Sequence, residues 1–350
     1  MSSRFSFQTH WRKALVSLPR LVPDAALRFT NPEGPQPFVF KIQSRGDHLI
    51  PIYVFVPEQA PGIREKATLP VLVDFHGGGF ILGSCLEQAP FCAMMARELN
   101  CIAISVDYRL GPYDQFPAAN EDAEDVISAV LDDETPAFQQ LRIAINTYLL
   151  EAHRPHVNLD TDRIAISGFS SGGNLALNMA ISVEDDPTIA APWPSVIPPS
   201  HEHAVPLLLF YPSLDCRMLP SERVRPAGLE VPKGFLTRLK LEDELMPQYL
   251  PAEKRAHPRA SPGLADIKDL HAKAKIMLVL PELDSLSALS DVWVEKVKSD
   301  GRADDLFVDV VPGVLHGWTQ FPDLWLSEED KRSKVAVFER AKEFLKTHWI

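Results

Sequence analysis

The residues best placed to do chemistry sit in two glycine-bearing stretches. His76-Gly77-Gly78-Gly79-Phe80 follows the apolar run Leu69–Phe75, and Gly168-Phe169-Ser170-Ser171-Gly172-Gly173-Asn174 follows Arg163–Ser167. Each reads as a strand, a tight turn and a helix. The second stretch places Ser170 at the centre of Gly-x-Ser-x-Gly, the pattern of a serine held on a sharp strand-to-helix elbow. A serine hydroxyl is a weak nucleophile at neutral pH. It needs a base within hydrogen-bond reach and donors for the oxyanion that develops. The N–H of Ser171, at the start of the following helix, would face that oxyanion. The glycines of the first stretch let backbone approach a ligand, with Gly78 and Gly79 as the expected donors and Gly77 as the reserve. Together the stretches predict acyl-transfer chemistry through Ser170.

Where a serine stands on such an elbow, its acid and then its histidine follow in chain order. His76 lies upstream, so a structural hydrogen-bonding role is expected for it. Beyond the apolar run Pro206–Tyr211 stand His257, His271, His316 and His348. His316 lies in Gly313-Val314-Leu315-His316-Gly317-Trp318, just after the apolar run Leu306–Val311, and is the expected base. The acid should end the preceding strand. Ile276–Pro281 runs into Glu282-Leu283-Asp284, which makes Asp284 the expected acid and Glu282 the alternative. A carboxylate there holds the imidazole tautomer and stabilises the imidazolium. His201-Glu202-His203 lies in a proline-rich stretch with no third ligand nearby, so no metal is expected.

These residues must be carried by a sheet. Strands are expected near Phe38–Ser44, Leu49–Val56, Leu69–Phe75, Cys101–Val106, Arg163–Ser167, Pro206–Tyr211, Ile276–Pro281 and Leu306–Val311. Helices are expected near Pro90–Leu99, Ala118–Leu131, Phe138–Ala152, Ser171–Val183, Ser287–Ser299 and Ser333–Thr347. The later strands are apolar on both faces, as in a sheet covered by helices on both sides, and the alternation argues for an open α/β fold. Glu184–Ala204 is rich in proline and reads as a surface loop. Two regions break the alternation. Residues 1–37 carry Trp11, Leu15 and Leu18 at helical spacing before Pro19. Residues 217–262 carry Phe235, Leu236, Leu239, Leu245, Met246, Tyr249 and Leu250. Both fit either ordinary core helix or a lid over the site.

The chain has 350 residues, 45% of them hydrophobic, enough for a large core, and a formal net charge of −12. That charge argues against nucleic acid and anionic membrane surfaces as partners. Met1–Lys13 has no apolar run of signal-peptide length. No apolar stretch reaches the roughly 18 residues that span a bilayer. Cys85, Cys92, Cys101 and Cys216 show neither disulfide nor zinc spacing. A cytoplasmic compartment and no membrane insertion are therefore expected. A homodimer is compatible with everything read so far.

The chain resembles the hormone-sensitive-lipase-like group of α/β hydrolases from about Phe38 to its end. The likeness rests on His76–Phe80 and on Asp107-Tyr108-Arg109-Leu110-Gly111-Pro112 with Phe116-Pro117-Ala118-Ala119. It continues through Gly168–Asn174, Phe210-Tyr211-Pro212, Arg259-Ala260-Ser261-Pro262, Asp284-Ser285-Leu286 and His316-Gly317. The resemblance implies an α/β-hydrolase fold with an eight-stranded, mostly parallel sheet. It implies one such domain over 1–350, with a helical cap built from 1–37 and about 217–262. It also implies cofactor-free hydrolysis of carboxylic esters of small or medium acyl groups. Phe169 and Ser171 stand where the group usually has Asp and Ala, and Tyr113 replaces a usual Glu. Ser285 and Ala288 replace a usual Pro and Asp. These departures bear on substrate choice rather than on reaction class. The general style resembles filamentous-fungal members, many of which act on secondary metabolites. Two other classes fit the same pocket: acyl transfer or lyase and cyclase chemistry, and a non-catalytic small-molecule receptor. The receptors of this fold lack the histidine that His316 supplies here.

Overall fold

The computed structural model describes residues 6–17, 31–58, 67–184, 191–229 and 241–349. Its centre is one eight-stranded sheet in the order β1-β2-β4-β3-β5-β6-β7-β8. The strands are β1 (Phe38–Gln43), β2 (Leu49–Phe55), β3 (Ala67–Phe75), β4 (Ile102–Val106), β5 (Val157–Phe169), β6 (Val205–Phe210), β7 (Ala274–Leu283) and β8 (Leu306–Leu315). β2 is antiparallel to β1 and to β4, and every later pairing is parallel. Each expected strand is present.

The helices of the described residues are α1 (Phe7–Ser17), α2 (Ala89–Leu99), α3 (Ala118–Leu131), α4 (Pro136–Glu151), α5 (Ser171–Asn178), α6 (Leu241–Tyr249), α7 (Ser287–Ser299) and α8 (Glu328–His348). Side chains alternate across a strand, so the inner strands feed two cores. Val71, Val73 and Phe75 pack with Ile104, Ile166 and Leu209 beneath α3, α4 and α5. Leu72 packs on the other face with Ala103, Ala165, Leu208 and Phe210 beneath α2 and α8. β4 and β6 are buried at every position, which is why their sequences are apolar runs without alternation.

Several boundaries differ from expectation, and those of β5, α5, β7 and β8 bear on the site. β5 begins at Val157, because Val157–Leu159 pair with Ala67–Leu69 at the start of β3, ahead of a register shift. α5 stops at Asn178 rather than Val183. The fully buried Arg259 donates to the Asn178 carbonyl at 2.5 Å, and Ile181 and Val183 turn away into bridges with Leu270 and Trp193. β7 and β8 run on to a Leu283–Leu315 pairing, so the residues that follow, Asp284 and His316, leave the sheet side by side.

α1 and α6 lie outside the sheet pattern and contact each other through Arg12 and Glu244 at 2.8 Å. Lys13 on α1 donates to the Ile81 carbonyl at 2.6 Å. Tyr249 of α6 stacks on Phe80 with ring centroids 4.8 Å apart. Both helices are thus fastened to the chain just after His76–Gly79. Leu18, Phe235, Leu236 and Leu239, expected on the same faces, lie outside the described residues, as does the side chain of Leu15. No helix among the described residues is long and apolar enough to cross a membrane.

Candidate active site

Ser170 stands between the end of β5 and the start of α5 with φ of 54° and ψ of −111°. That conformation is strained for a residue with a Cβ and is the expected geometry of an elbow. The neighbours permit it only as glycines. A Cβ at Gly168 would fall on the Gly172 carbonyl, and one at Gly172 on the carbonyls of Phe75 and His76. The elbow is pinned to the next strand: Ser170 N–H donates to the Phe210 carbonyl at 2.9 Å, and Ser213 N–H donates to the Ser170 carbonyl at 3.1 Å.

His316 follows β8 directly, and its Nε2 lies 3.0 Å from Ser170 Oγ. Its Nδ1 lies 2.7 Å from Asp284 Oδ2, at the end of β7. The other Asp284 oxygen accepts the Leu286 N–H at 2.9 Å, and the carboxylate is almost entirely buried. A carboxylate on Nδ1 makes that nitrogen the donor, which leaves Nε2 to accept the serine proton. Glu282, the alternative acid, instead accepts the Gly313 N–H at 2.8 Å and braces the last residues of β8 before His316.

The glycine stretch packs backbone to backbone against the elbow. Gly78 and Gly79 have φ of 128° and 60°. The Gly78 carbonyl accepts from the N–H groups of Ile81 and Leu82 at 3.1 and 3.0 Å, which closes the turn. Among the described residues no acceptor engages the N–H of Gly78, Gly79 or Ser171. His76 is fully buried, stacks on Tyr108 with centroids 4.3 Å apart, and bonds the Gly77 carbonyl through Nδ1 at 2.7 Å. The Tyr108 hydroxyl donates to the His76 carbonyl at 2.7 Å. His76 thus shapes the loop and does not approach the serine as a base.

Several residues around the site carry no sequence signal of their own. A Cβ on Gly77 would lie 2.8 Å from Gln320 Oε1 and 3.1 Å from the Phe169 carbonyl. The Gln320 amide, four residues beyond His316, therefore rests on the glycine loop. Asp74 is fully buried in β3, directly opposite Ser167 of β5, whose hydroxyl donates to it at 2.6 Å. Burial pushes its carboxyl up to about 7, against the hydrogen bond from Ser167. Tyr211 lies beneath the imidazole.

Among the described residues no group of three His, Cys, Asp or Glu side chains is arranged to hold a metal ion. The rings of His201 and His203 are 5.9 Å apart and that of His271 is 6.4 Å from His201. Both nitrogens of His271 already face backbone, the Pro198 carbonyl at 3.1 Å and the Lys273 N–H at 3.2 Å.

A family model described as the alpha/beta hydrolase fold matches residues 72–320. An ethyl acetate hydrolase of Pseudomonas putida is 27% identical over 308 residues, spanning 87% of this chain and 81% of that protein. A probable carboxylesterase 8 of Arabidopsis thaliana is 39% identical over 142 residues, 38% of each chain. An esterase structure from Pyrobaculum calidifontis superposes with a TM-score of 0.66 over 97% of this chain and 92% of that one, at 23% identity, and so shares the fold.

Proposed function

The chain belongs to the α/β-hydrolase fold family, in its hormone-sensitive-lipase-like group, and from that premise we propose that it hydrolyses carboxylic esters of short to medium acyl groups through an acyl-enzyme on Ser170. The observation that carries the reading is the continuous contact Ser170–His316–Asp284, at 3.0 and 2.7 Å. The relatives named as an ethyl acetate hydrolase and a carboxylesterase support the same reaction class.

In this mechanism His316 Nε2 takes the hydroxyl proton as Ser170 Oγ attacks the ester carbonyl. Asp284 stabilises the imidazolium that forms. The N–H groups of Gly78, Gly79 and Ser171 receive the oxyanion, with Gly77 forming the turn beneath them. Collapse expels the alcohol, protonated by His316. A water then attacks the acyl-enzyme with His316 again as base, releasing the acid and restoring Ser170. In this reading α1 and α6 form the cap over the site.

The test is hydrolysis of p-nitrophenyl acetate, butyrate and octanoate by the wild type and by Ser170→Ala. Loss of a triad member leaves only binding and oxyanion stabilisation, so kcat should fall on the order of 10⁴–10⁶-fold with the fold intact. Retention of a tenth of wild-type kcat would remove Ser170 from the role. Product analysis with an added alcohol separates hydrolysis from transfer, since both pass through the same acyl-enzyme.

A further inference from the structure

Among the described residues, the non-glycine positions with left-handed backbone are Phe80, Asn100, His153, Ser170 and Tyr211. Asn100 ends α2, and asparagine adopts this conformation readily. Phe80 and Ser170 belong to the glycine loop and the elbow. Tyr211, with φ of 40°, is a bulky aromatic for which such a backbone is a real outlier, and it has no part in the mechanism so far. Strain of this kind persists only where the surroundings impose it, and it gathers at functional sites.

The surroundings of Tyr211 are specific. It is fully buried at the end of β6, with its N–H on the Val279 carbonyl of β7 at 2.7 Å. Its ring meets the His316 ring with centroids 4.9 Å apart and planes at 67°, and the Trp318 ring at 5.5 Å. Its hydroxyl is hydrogen-bonded to the Thr319 hydroxyl, three residues past His316. Burial pushes the phenol well above the ordinary tyrosine range, so it stays neutral. One residue earlier, the Phe210 carbonyl holds the Ser170 N–H. One side chain therefore touches the imidazole and grips its loop, and the adjoining peptide fixes the nucleophile.

We propose that Tyr211 is the positioning residue for His316: its ring backs the imidazole and its hydroxyl pins the Trp318–Gln320 turn, which together keep Nε2 on Ser170 and Nδ1 on Asp284. The strained backbone is what turns the ring under the histidine instead of continuing along the strand. The proposal rests on the triad reading above, and Ser170→Ala, assayed alongside, tests that reading separately.

The experiment compares Tyr211→Phe, Tyr211→Leu, Thr319→Val and the double variant Tyr211→Phe/Thr319→Val in ester hydrolysis across pH. Tyr211→Leu removes the backing ring, so kcat should fall about tenfold or more with KM within about twofold. A looser imidazole is less stabilised by Asp284 as a cation, so the acid limb of the kcat/KM profile should move to lower pH. Tyr211→Phe keeps the ring and should recover most of the loss. The two hydroxyls act as one contact, so the double variant should be no worse than either single one. Tyr211→Leu with wild-type kcat and an unmoved acid limb would overturn the proposal. If Tyr211→Leu fails to fold, the hydroxyl pair decides: additive losses, or none, would overturn it equally.

Discussion

At the scale of single residues, the site separates two acidic side chains that sequence alone leaves in competition. Glu282 lies in β7 and Asp284 just past its end. Two residues apart on a regular strand they would share a face. The register shifts between Pro281 and Leu283, however, and the chain leaves the strand at Asp284, so the two carboxylates part. Asp284 is turned onto His316 at 2.7 Å, and Glu282 onto the Gly313 N–H at 2.8 Å. Their amide variants should therefore differ in kind. Asp284→Asn can no longer fix the imidazole with its proton on Nδ1, and kcat should fall by roughly 10⁴-fold. Glu282→Gln keeps an oxygen for the Gly313 N–H and should cost less than about tenfold. Steady-state kinetics on the two purified variants make the comparison, and the reverse ranking would transfer the acid role to Glu282. Gly77 follows a similar logic. A Cβ there would displace the movable end of Gln320 and press on the Phe169 carbonyl at 3.1 Å, and the direct donors in the proposed mechanism are its neighbours.

At the scale of elements, β3, β5, β7 and β8 each deliver one part of the site from their carboxyl ends, where open α/β sheets place their ligands. This was readable because the inner strands are buried on both faces and appear as apolar runs, with glycines or a lone histidine just after them. The first half of β5 was not readable: Asn158, Asp160, Thr161 and Asp162 are polar, and only pairing with the start of β3 makes the segment a strand. The true end of α5 was hidden for a similar reason, since it is set by Arg259, far away in sequence. The backbone of Tyr211 and the reach of Gln320 are tertiary facts with no local pattern. The proposed cap shows in the sequence only as two apolar segments outside the alternation, and the contacts of α1 with α6 and Ile81 are compatible with it. A cap with an apolar inner face should make kcat/KM rise with acyl length while each buried methylene adds about 0.8 kcal/mol, then fall once the space is full, near four to eight carbons on this rough argument. Deleting residues 1–37 removes α1 from the proposed cap and should flatten that profile. An unchanged profile from a well-folded deletion, or a preference for long-chain triglycerides, would leave the triad without its cap.

At the scale of the whole molecule, pH acts on the fold through groups of opposite sign. The net charge is −12 and the isoelectric point about 5.4, so self-repulsion grows above that pH. Burial holds His201 and His271 below the ordinary histidine value of 6.5. Below that pH the unfolded chain takes up their protons before the folded one does, and stability falls as pH drops. Asp74 works the other way. Its folded carboxyl is pushed up to about 7 from an ordinary 3.8, so between those values the unfolded chain has released a proton that the folded chain still holds. Its contribution is intact below the unfolded value, is lost as pH rises toward 7, and changes no further above it. The two effects overlap, so the wild-type profile alone cannot separate them, but Asp74→Asn can. The amide keeps an acceptor for the Ser167 hydroxyl and cannot ionise. Relative to the wild type, the variant should gain stability steadily from pH 4 to pH 7 and hold a constant difference beyond, the whole change being up to about 4 kcal/mol. Thermal unfolding of both proteins across that range reads the difference directly. A constant offset at every pH would mean that the buried carboxyl is ionised throughout, and that the Ser167 hydroxyl is enough to hold a charge in the middle of the sheet.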